Sequence, residues 1–191
     1  MADQLQSILS QLSSEDEVII SDDGSCDDTL EVIRAAGDER VVLVQGPGMG
    51  VVENFKTAVR RSAGDLIFLA DQDDVWLGQR LSLAVEAHRA TPVVAVDLYL
   101  WNGDPDYCGL DRYSEVVRPS TLFNVLLYSA HPGCAISFDA SYKEVFNAIP
   151  RWCPMHDWLI VSYAVMRREF SFQAIPLILF RRHGANLSQS G

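Results

Sequence analysis

Positive charge is scarce in this chain: 15 Lys and Arg against 26 Asp and Glu leave a formal net charge of −11 over 191 residues. A nucleic-acid binder needs a basic face for the phosphates, and charge-driven attachment to anionic lipid needs one too, so neither class fits. Cysteine is also sparse. Cys26, Cys108, Cys134 and Cys153 are too few for a disulfide scaffold and read as reduced thiols. No stretch approaches the ~20 apolar residues of a membrane-spanning helix, and the longest, around Trp158–Met166, is broken by Ser162. The opening MADQLQSILS has neither the basic nor the long apolar segment of a secretory signal, so a cytoplasmic location is expected. Internal repeats, low-complexity linkers and a G-x-x-x-x-G-K-[ST] phosphate loop are all missing. What remains is a 48% hydrophobic chain long enough to bury a core of its own, read as one domain over 1–191.

Periodicity supplies the organisation. Leu5, Ile8, Leu9 and Leu12 fall on one helical stripe within Asp3–Leu12, and Glu17–Ser21 reads as a short strand. Ser25 and Asp28 fit a capping box for a helix reaching about Ala36. A strand over Arg40–Gln45, a Gly46–Gly50 turn, a helix over Val52–Ser62 and a strand over Asp65–Ala70 follow. A further helix is expected to turn Leu77, Leu81, Ala84 and Val85 inward. Alternation of this length predicts βαβ units, an α/β fold and a mostly parallel central sheet flanked by helices. Past residue 91 the pattern changes: strands over Val93–Trp101 and Cys134–Phe138, helices over Ser120–Tyr128 and Met155–Arg168, and one or two closing strands over Phe170–Phe180.

Ligands of parallel sheets bind at the carboxyl ends of strands, and two acidic clusters sit at such ends. Asp71-Gln-Asp73-Asp74 offers three carboxylates within four residues, which suits a hard divalent cation carrying a substrate diphosphate. Alone it would read as a solvated acidic turn capping the next helix; a second cluster on a neighbouring strand tips the balance towards a site. In Asp22-Asp23-Gly24-Ser25 a carboxylate could bond a nucleobase or ribose, or the segment is an Asx turn. Gly46, Gly48 and Gly50 lack the dinucleotide spacing and read as a tight turn. His131-x-x-Cys134 and Cys153-x-x-His156 have zinc-like spacing, but each is interrupted by proline, so zinc is the weaker reading. His88 reads as structural. Asp157 opens a helix, where the dipole either simply stabilises it or keeps a general base ionised.

Together these residues resemble family 2 glycosyltransferases of the GT-A fold, and within them the bacterial rhamnosyltransferase-like enzymes of cell-surface polysaccharide synthesis. The resemblance is carried by DEVIISDDGSCDDTLEVI, GMGVVENF, AGDLIFLADQDDVW, HPGCAISF, MHDWLI and FRRHGANLS, in the family's order across nearly the whole chain. It implies a GT-A nucleotide-diphospho-sugar transferase-like fold, with 1–91 as the nucleotide-sugar-binding half and 92–191 as the acceptor-binding half. It implies that Asp23, with Asp22 beside it, contacts the nucleotide base. Asp73 would ligate Mg²⁺ or Mn²⁺ on the diphosphate, Asp71 would lie near the ribose or sugar, and Asp74 would assist. Asp157 matches the family's catalytic base, and His183 a phosphate or metal contact. The implied reaction is an inverting transfer from a nucleoside-diphosphate sugar to a glycan or lipid-linked hydroxyl, in the cytoplasm or peripherally at the inner membrane face.

The resemblance departs at the start. The family begins with a central strand, and this chain begins at the helix after it, so the resemblance implies an N-terminally truncated form. The strands ending at Asp22 and Ala70 are then expected to face an unfilled position between them. A non-catalytic remnant or partner subunit is the alternative this departure favours. A nucleotidyltransferase is a third reading, separated by its product: pyrophosphate rather than nucleoside diphosphate. The sugar, the acceptor and the oligomeric state stay open.

Overall fold

The computed structural model describes residues 1–102, 111–116 and 131–182. Its helices are α1 (Ala2–Leu9), α2 (Thr29–Ala35), α3 (Val51–Arg61), α4 (Arg80–His88), α5 (Tyr113–Val116), α6 (Lys143–Asn147) and α7 (His156–Arg167). The strands are β1 (Val18–Asp22), β2 (Val41–Gln45), β3 (Leu66–Phe68), β4 (Val75–Trp76), β5 (Val93–Trp101), β6 (Asp111–Arg112), β7 (Ile136–Asp139) and β8 (Phe170–Arg181). A 3₁₀ turn, Gly133–Ala135, leads into β7. The helix expected over Ser120–Tyr128 lies outside the described residues.

The fold is α/β, but its main sheet is mixed. β1 and β2 pair in parallel as a two-stranded sheet, from Val18 opposite Val41 to Asp22 opposite Gln45. The larger sheet runs in the order β3-β7-β5-β8-β4, with β6 on β5. Only β5 and β8 are parallel in it; β3–β7, β5–β7, β4–β8 and β5–β6 are antiparallel. Parallel neighbours need crossover connections. After β5 the chain returns in the opposite sense, so β7 lies antiparallel between β3 and β5. Among the described residues no strand bonds to both β1 and β3. Every residue of β1, and of β2 as far as Val44, is only half-buried despite the Val, Ile and Leu side chains these strands carry.

Two apolar clusters hold the molecule together, and both draw residues from before and after position 91. One joins Val52 and Val59 of α3 to Val93, Ile136, Phe138, Phe146 and Ile160, with the Phe138 and Phe146 rings stacked at 5.3 Å. The other joins Ile8 of α1 to Trp76, Val96, Cys134, Ala135 and Ile178.

The local departures from expectation have physical causes. Residues 75–77 do not start a helix: Val75 and Trp76 pair with β8, and the Leu77 amide donates to the Leu177 carbonyl at 2.9 Å. Gln79, at φ 70°, then turns the chain into α4. Helix α1 and the turn after it latch this stretch, since Ser7 Oγ accepts the Trp76 amide at 3.0 Å and Gln11 bonds both the Leu77 carbonyl and the Leu81 amide. The Ser25/Asp28 capping box does not form. α2 begins at Thr29, whose amide is taken by Asp27 Oδ1 at 3.1 Å, while the Ser25 amide bonds Asp22. Residues 170–181 make one continuous strand through Pro176.

Candidate active site

Strand β3 ends by giving the Leu69 amide to the Ile136 carbonyl, and the chain then leaves the sheet at Asp71. Asp74, 2% exposed, accepts the Arg181 amide on Oδ1 at 3.0 Å, while its buried Oδ2 has no hydrogen-bond partner. Asp71, Asp74 and Cys134 bring one ligand atom each to within 4.8 Å of one another, the one such group among the described residues. Burial, then the charges of Asp74, Asp73 and Asp157, push the Asp71 carboxyl up to about 7. Burial raises Asp74 to about 6 against the pull of the Cys134 thiol and the Arg181 amide. The Cys134 thiol is held well above its ordinary value by burial and the same two carboxylates. Such a set fits a divalent cation: two crowded carboxylates, one with a buried oxygen left over, gain the positive charge they lack.

Below this group, Arg80 is fully buried. Its guanidinium lies 5.1 Å from the Phe68 ring centroid and 5.4 Å from that of Trp76, and Nη2 donates to the Ala135 carbonyl at 3.2 Å. It thereby props the turn that presents Cys134.

Asp157 enters from the other side. It stands in the first turn of α7, 5% exposed, with Oδ1 accepting the Trp158 amide at 2.7 Å. Gly133 packs against it: a Cβ there would stand 3.3 Å from His156 Nε2 and 3.8 Å from Asp157 Cβ. His156 is enclosed by Phe55 and Phe146, at ring separations of 4.6 and 5.7 Å, and burial drops it to about 4. His131 is likewise buried, beside Phe170 and Phe172, and also falls to about 4. The Cys153 thiol donates to the Met155 carbonyl at 3.3 Å. The two zinc-like pairs therefore do not assemble a metal centre among the described residues.

Asp22 and Asp23 form a separate group at the end of β1. Asp22 accepts the Gly24 and Ser25 amides, an Asx-type turn, and the Ser25 hydroxyl with these amides holds its carboxyl below the ordinary value. Asp23 spans the glycine turn, accepting the Gly48 amide at 2.6 Å and the Gly50 amide at 3.1 Å. Gly48 (φ 65°) and Gly50 (φ 89°) hold backbone angles that other residues rarely adopt. Beside them a cavity of about 540 Å³ opens, bounded by Asp22, Asp23, Leu30, Arg34, Leu43 and Gly46 among others.

Of the residues expected from the sequence, Asp73, Asp74 and Asp157 thus come within electrostatic reach of Asp71, and Asp22 and Asp23 line the cavity at the glycine turn. His183 lies outside the described residues. His88 is structural as expected, bonded to the Thr91 carbonyl and to Ser137 Oγ at 2.8 Å. Sequence reasoning misses Cys134, Arg80 and Arg181 at the site; the HPGC segment carries the only signal, for Cys134.

These shifts predict how the metal-free protein responds to pH. A raised carboxyl carries no penalty below its unfolded value near 3.9, loses stability as pH rises to its folded value, and is level above it. For Asp71 that window closes at about 7, and for Asp74 at about 6. The depressed histidines act oppositely: His131 and His156 stay neutral in the fold, so stability falls as pH drops from ~6.5 towards 4. Between about pH 4 and 6 the two pairs largely cancel, each unmatched proton carrying a slope of about 1.4 kcal/mol per pH unit. The Asp71 contribution is isolated by substitution. The Tm of Asp71→Asn minus that of the wild type should climb from pH 5 to about 7 and then level off. Melting curves from pH 5 to 8.5 test this; a difference that does not change with pH would refute the Asp71 assignment.

Comparison with known proteins then identifies the family. The sequence profile described as Glycosyl transferase family 2 matches residues 2–146, well over half the chain, which therefore belongs to glycosyl transferase family 2. The chain is 25% identical over 209 residues to the dTDP-rhamnosyl transferase RfbG of Shigella flexneri, covering 97% of this chain. It superposes on Staphylococcus aureus TarS in complex with UDP-GlcNAc with a TM-score of 0.74 at 17% identity, covering 98% of this chain and 56% of that one. It also superposes on the mannosyltransferase PcManGT of Pyrobaculum calidifontis, in complex with GDP-Man and Mn²⁺, with a TM-score of 0.71 at 18% identity, covering 96% and 53%. These superpositions show a GT-A glycosyltransferase fold. The chain spans 60% and 71% of the lengths of two curated relatives it matches. Among the described residues, no helix is long and apolar enough to cross a membrane.

Proposed function

We propose that this chain carries the donor site and base of an inverting glycosyltransferase, moving a sugar from a nucleoside-diphosphate sugar to an acceptor hydroxyl. The observation that carries the reading is the convergence of Asp71, Asp73 and Asp74 with Asp157, from opposite halves of the sequence. In this reading Asp157 takes the proton of the acceptor hydroxyl as its oxygen attacks the anomeric carbon, and the α7 dipole keeps the carboxylate ionised until then. Asp73 would hold Mg²⁺ or Mn²⁺ from the loop, next in sequence to the Asp71, Asp74 and Cys134 group whose ligand atoms stand within 4.8 Å of one another and which would share the ion. When bound, the ion offsets the charge on the departing diphosphate. Asp22 and Asp23 serve the nucleobase side, Asp23 by ordering the glycine turn, and His183 is assigned a phosphate or metal contact.

The Shigella relative supports dTDP-rhamnose as donor, and the solved structures with UDP-GlcNAc and GDP-Man keep UDP and GDP sugars in the comparison. The acceptor is a glycan or lipid-linked hydroxyl of cell-surface polysaccharide synthesis, met in the cytoplasm or at the inner membrane face.

Thermal unfolding with and without Mn²⁺, across UDP, dTDP and GDP, tests the reading. One nucleotide at about 100 times its Kd should add about 2.7 kcal/mol, or roughly 5–10 °C, only with the metal present. Asp73→Asn should abolish that shift. A cooperative transition with no shift from any nucleotide would reject it and favour the second reading, a non-catalytic glycosyltransferase-like remnant or partner subunit, to which the isolated β1–β2 pair lends support.

A further inference from the structure

Cys134 stands in the sequence as half of a zinc-like pair with His131, and the structure gives the two residues different neighbours. His131 packs on the Phe170 and Phe172 rings, at 5.2 and 5.1 Å. The Cys134 thiol instead joins the acidic loop: one ligand atom from each of Asp71, Asp74 and Cys134 falls within 4.8 Å of the other two. Two distant stretches of chain make this group. Asp71 and Asp74 come from the loop after β3, and Cys134 from the 3₁₀ turn before β7. The stretches are tied together by the Leu69 amide, which donates to the Ile136 carbonyl at 3.1 Å, so the sheet itself fixes the thiol against the carboxylates.

The group is unbalanced in two respects. Asp74 is 2% exposed, and its Oδ2 has no hydrogen-bond partner although Oδ1 accepts the Arg181 amide. A dry, unbonded carboxylate oxygen is costly, and a cation offsets that cost. Arg80 is the second imbalance. It is fully buried and donates from Nη2 to the carbonyl of Ala135, the residue after Cys134, while Nε and Nη1 have no hydrogen-bond partner. No carboxylate pairs with it among the described residues. A buried guanidinium without an anion is unfavourable. If Cys134 is a neutral thiol, both imbalances persist. If it is a thiolate sharing a divalent cation with the two carboxylates, three negative charges meet the two of the ion and the one of Arg80, and the sum is zero.

We propose that Cys134 is a ligand of the cation, bound as its thiolate, and that it biases the site towards Mn²⁺ and softer divalent ions and away from Mg²⁺. The proposal rests on the reading of the acidic loop as the cation site. Mg²⁺ keeps to oxygen ligands and its own water, whereas sulfur favours the transition metals, with Co²⁺ and Zn²⁺ above Mn²⁺. The thiol gives up its proton to the buffer as the sulfur–metal bond forms. Arg80 makes no bond to the ion; its charge offsets that of the sulfur.

Co²⁺ is the probe, because a thiolate bound to it gives a near-ultraviolet charge-transfer band that oxygen ligands do not. The full chain is titrated with Co²⁺, alone and with each of UDP, dTDP and GDP, and binding is followed in parallel by calorimetry. The band should grow with the bound fraction and be lost in Cys134→Ser, with Co²⁺ affinity down at least about tenfold. The wild type should bind Mn²⁺ at least about tenfold more tightly than Mg²⁺, and Cys134→Ser should remove most of that preference. If Cys134→Ser does not fold, the combination Cys26→Ser, Cys108→Ser and Cys153→Ser leaves Cys134 as the one thiol of the chain, and the band should persist there. Co²⁺ bound without the band, or a band unchanged in Cys134→Ser, overturns the ligand and leaves the carboxylate site standing, with the thiol merely packed against Asp74. No calorimetric binding of Co²⁺, Mn²⁺ or Mg²⁺ under any of these conditions would sink the cation reading itself, and the Cys134 ligand with it.

Discussion

Asp157→Asn is expected to cut sugar transfer by roughly 10²–10⁴-fold, the contribution typical of a general base, while nucleotide affinity with Mn²⁺ stays within about threefold. The substitution is nearly isosteric. Asp157 Oδ1 accepts the Trp158 amide at 2.7 Å, and an asparagine carbonyl can accept the same bond, so α7 keeps its start. What is lost is a proton acceptor and one negative charge. The charge of Asp157 is one of those that raise Asp71, so the variant should also ease the deprotonation of Asp71 and bind Mn²⁺ no more weakly than the wild type. Base and cation site are thereby separable: turnover collapses while the metal-dependent thermal shift persists. The measurement is the initial rate of nucleoside diphosphate release with acceptor, alongside nucleotide titration by calorimetry. A variant that keeps more than about a tenth of wild-type turnover would remove Asp157 from the base role.

The sequence makes part of this site readable because its chemistry is local. Asp71, Asp73 and Asp74 sit within four residues, and strand-to-loop placement follows from the apolar run that precedes them. Asp157 is readable as the opening of a strongly patterned helix, observed as His156–Arg167. Cys134 and Arg80 are not, because their roles depend on contacts across the sheet. Arg80 shares the inward face of α4 with Ala84, where the pattern calls for an apolar residue, and across the sheet its guanidinium meets the Phe68 and Trp76 rings and the Ala135 carbonyl while Nε and Nη1 stay buried without a hydrogen-bond partner.

The fold follows the same division. Alternating strands and helices are legible through β3. The sense of the later strands is not, because it is set by β7 pairing with both β3 and β5, and periodicity carries no record of the partner. Val75, Trp76 and Leu77 mislead for a related reason. A two-residue strand followed by Gly78 and a left-handed Gln79 has too few residues to show a period, and its tertiary bonds to β8 and α1 outweigh the helical spacing of Leu77 and Leu81.

Gly46→Ala is expected to damage the nucleotide side as severely as any change outside the acidic cluster. Three elements converge on this residue. Its amide donates to the Asp22 carbonyl at 2.7 Å, and an added Cβ would stand 2.5 Å from Asn54 Oδ1, 2.7 Å from Asp23 Oδ1 and 2.9 Å from the Asp22 carbonyl. None of the three can easily retreat. Asn54 is held by its Nδ2 bond to the Ser21 carbonyl at 2.8 Å, Asp23 by the Gly48 and Gly50 amides, and the Asp22 carbonyl by the end of the β1–β2 ladder. Overpacking of this kind costs about 1–3 kcal/mol, a fall in Tm of roughly 2–12 °C for a domain of this size. The functional loss should be larger than the loss of stability. The shift forces Asp23 off the glycine turn that borders the 540 Å³ cavity, so the nucleotide-dependent thermal shift should shrink or vanish even at temperatures where the variant is fully folded. Gly78→Ala is the matched control: nothing lies within 4 Å of its added Cβ, so its Tm and its nucleotide response should both stay at wild-type values. A Gly46→Ala protein that melts and binds nucleotide like the wild type would mean that the β1 and β2 ends do not shape the donor site. The nucleobase side would then have to be sought nearer Asp71, away from Asp22 and Asp23.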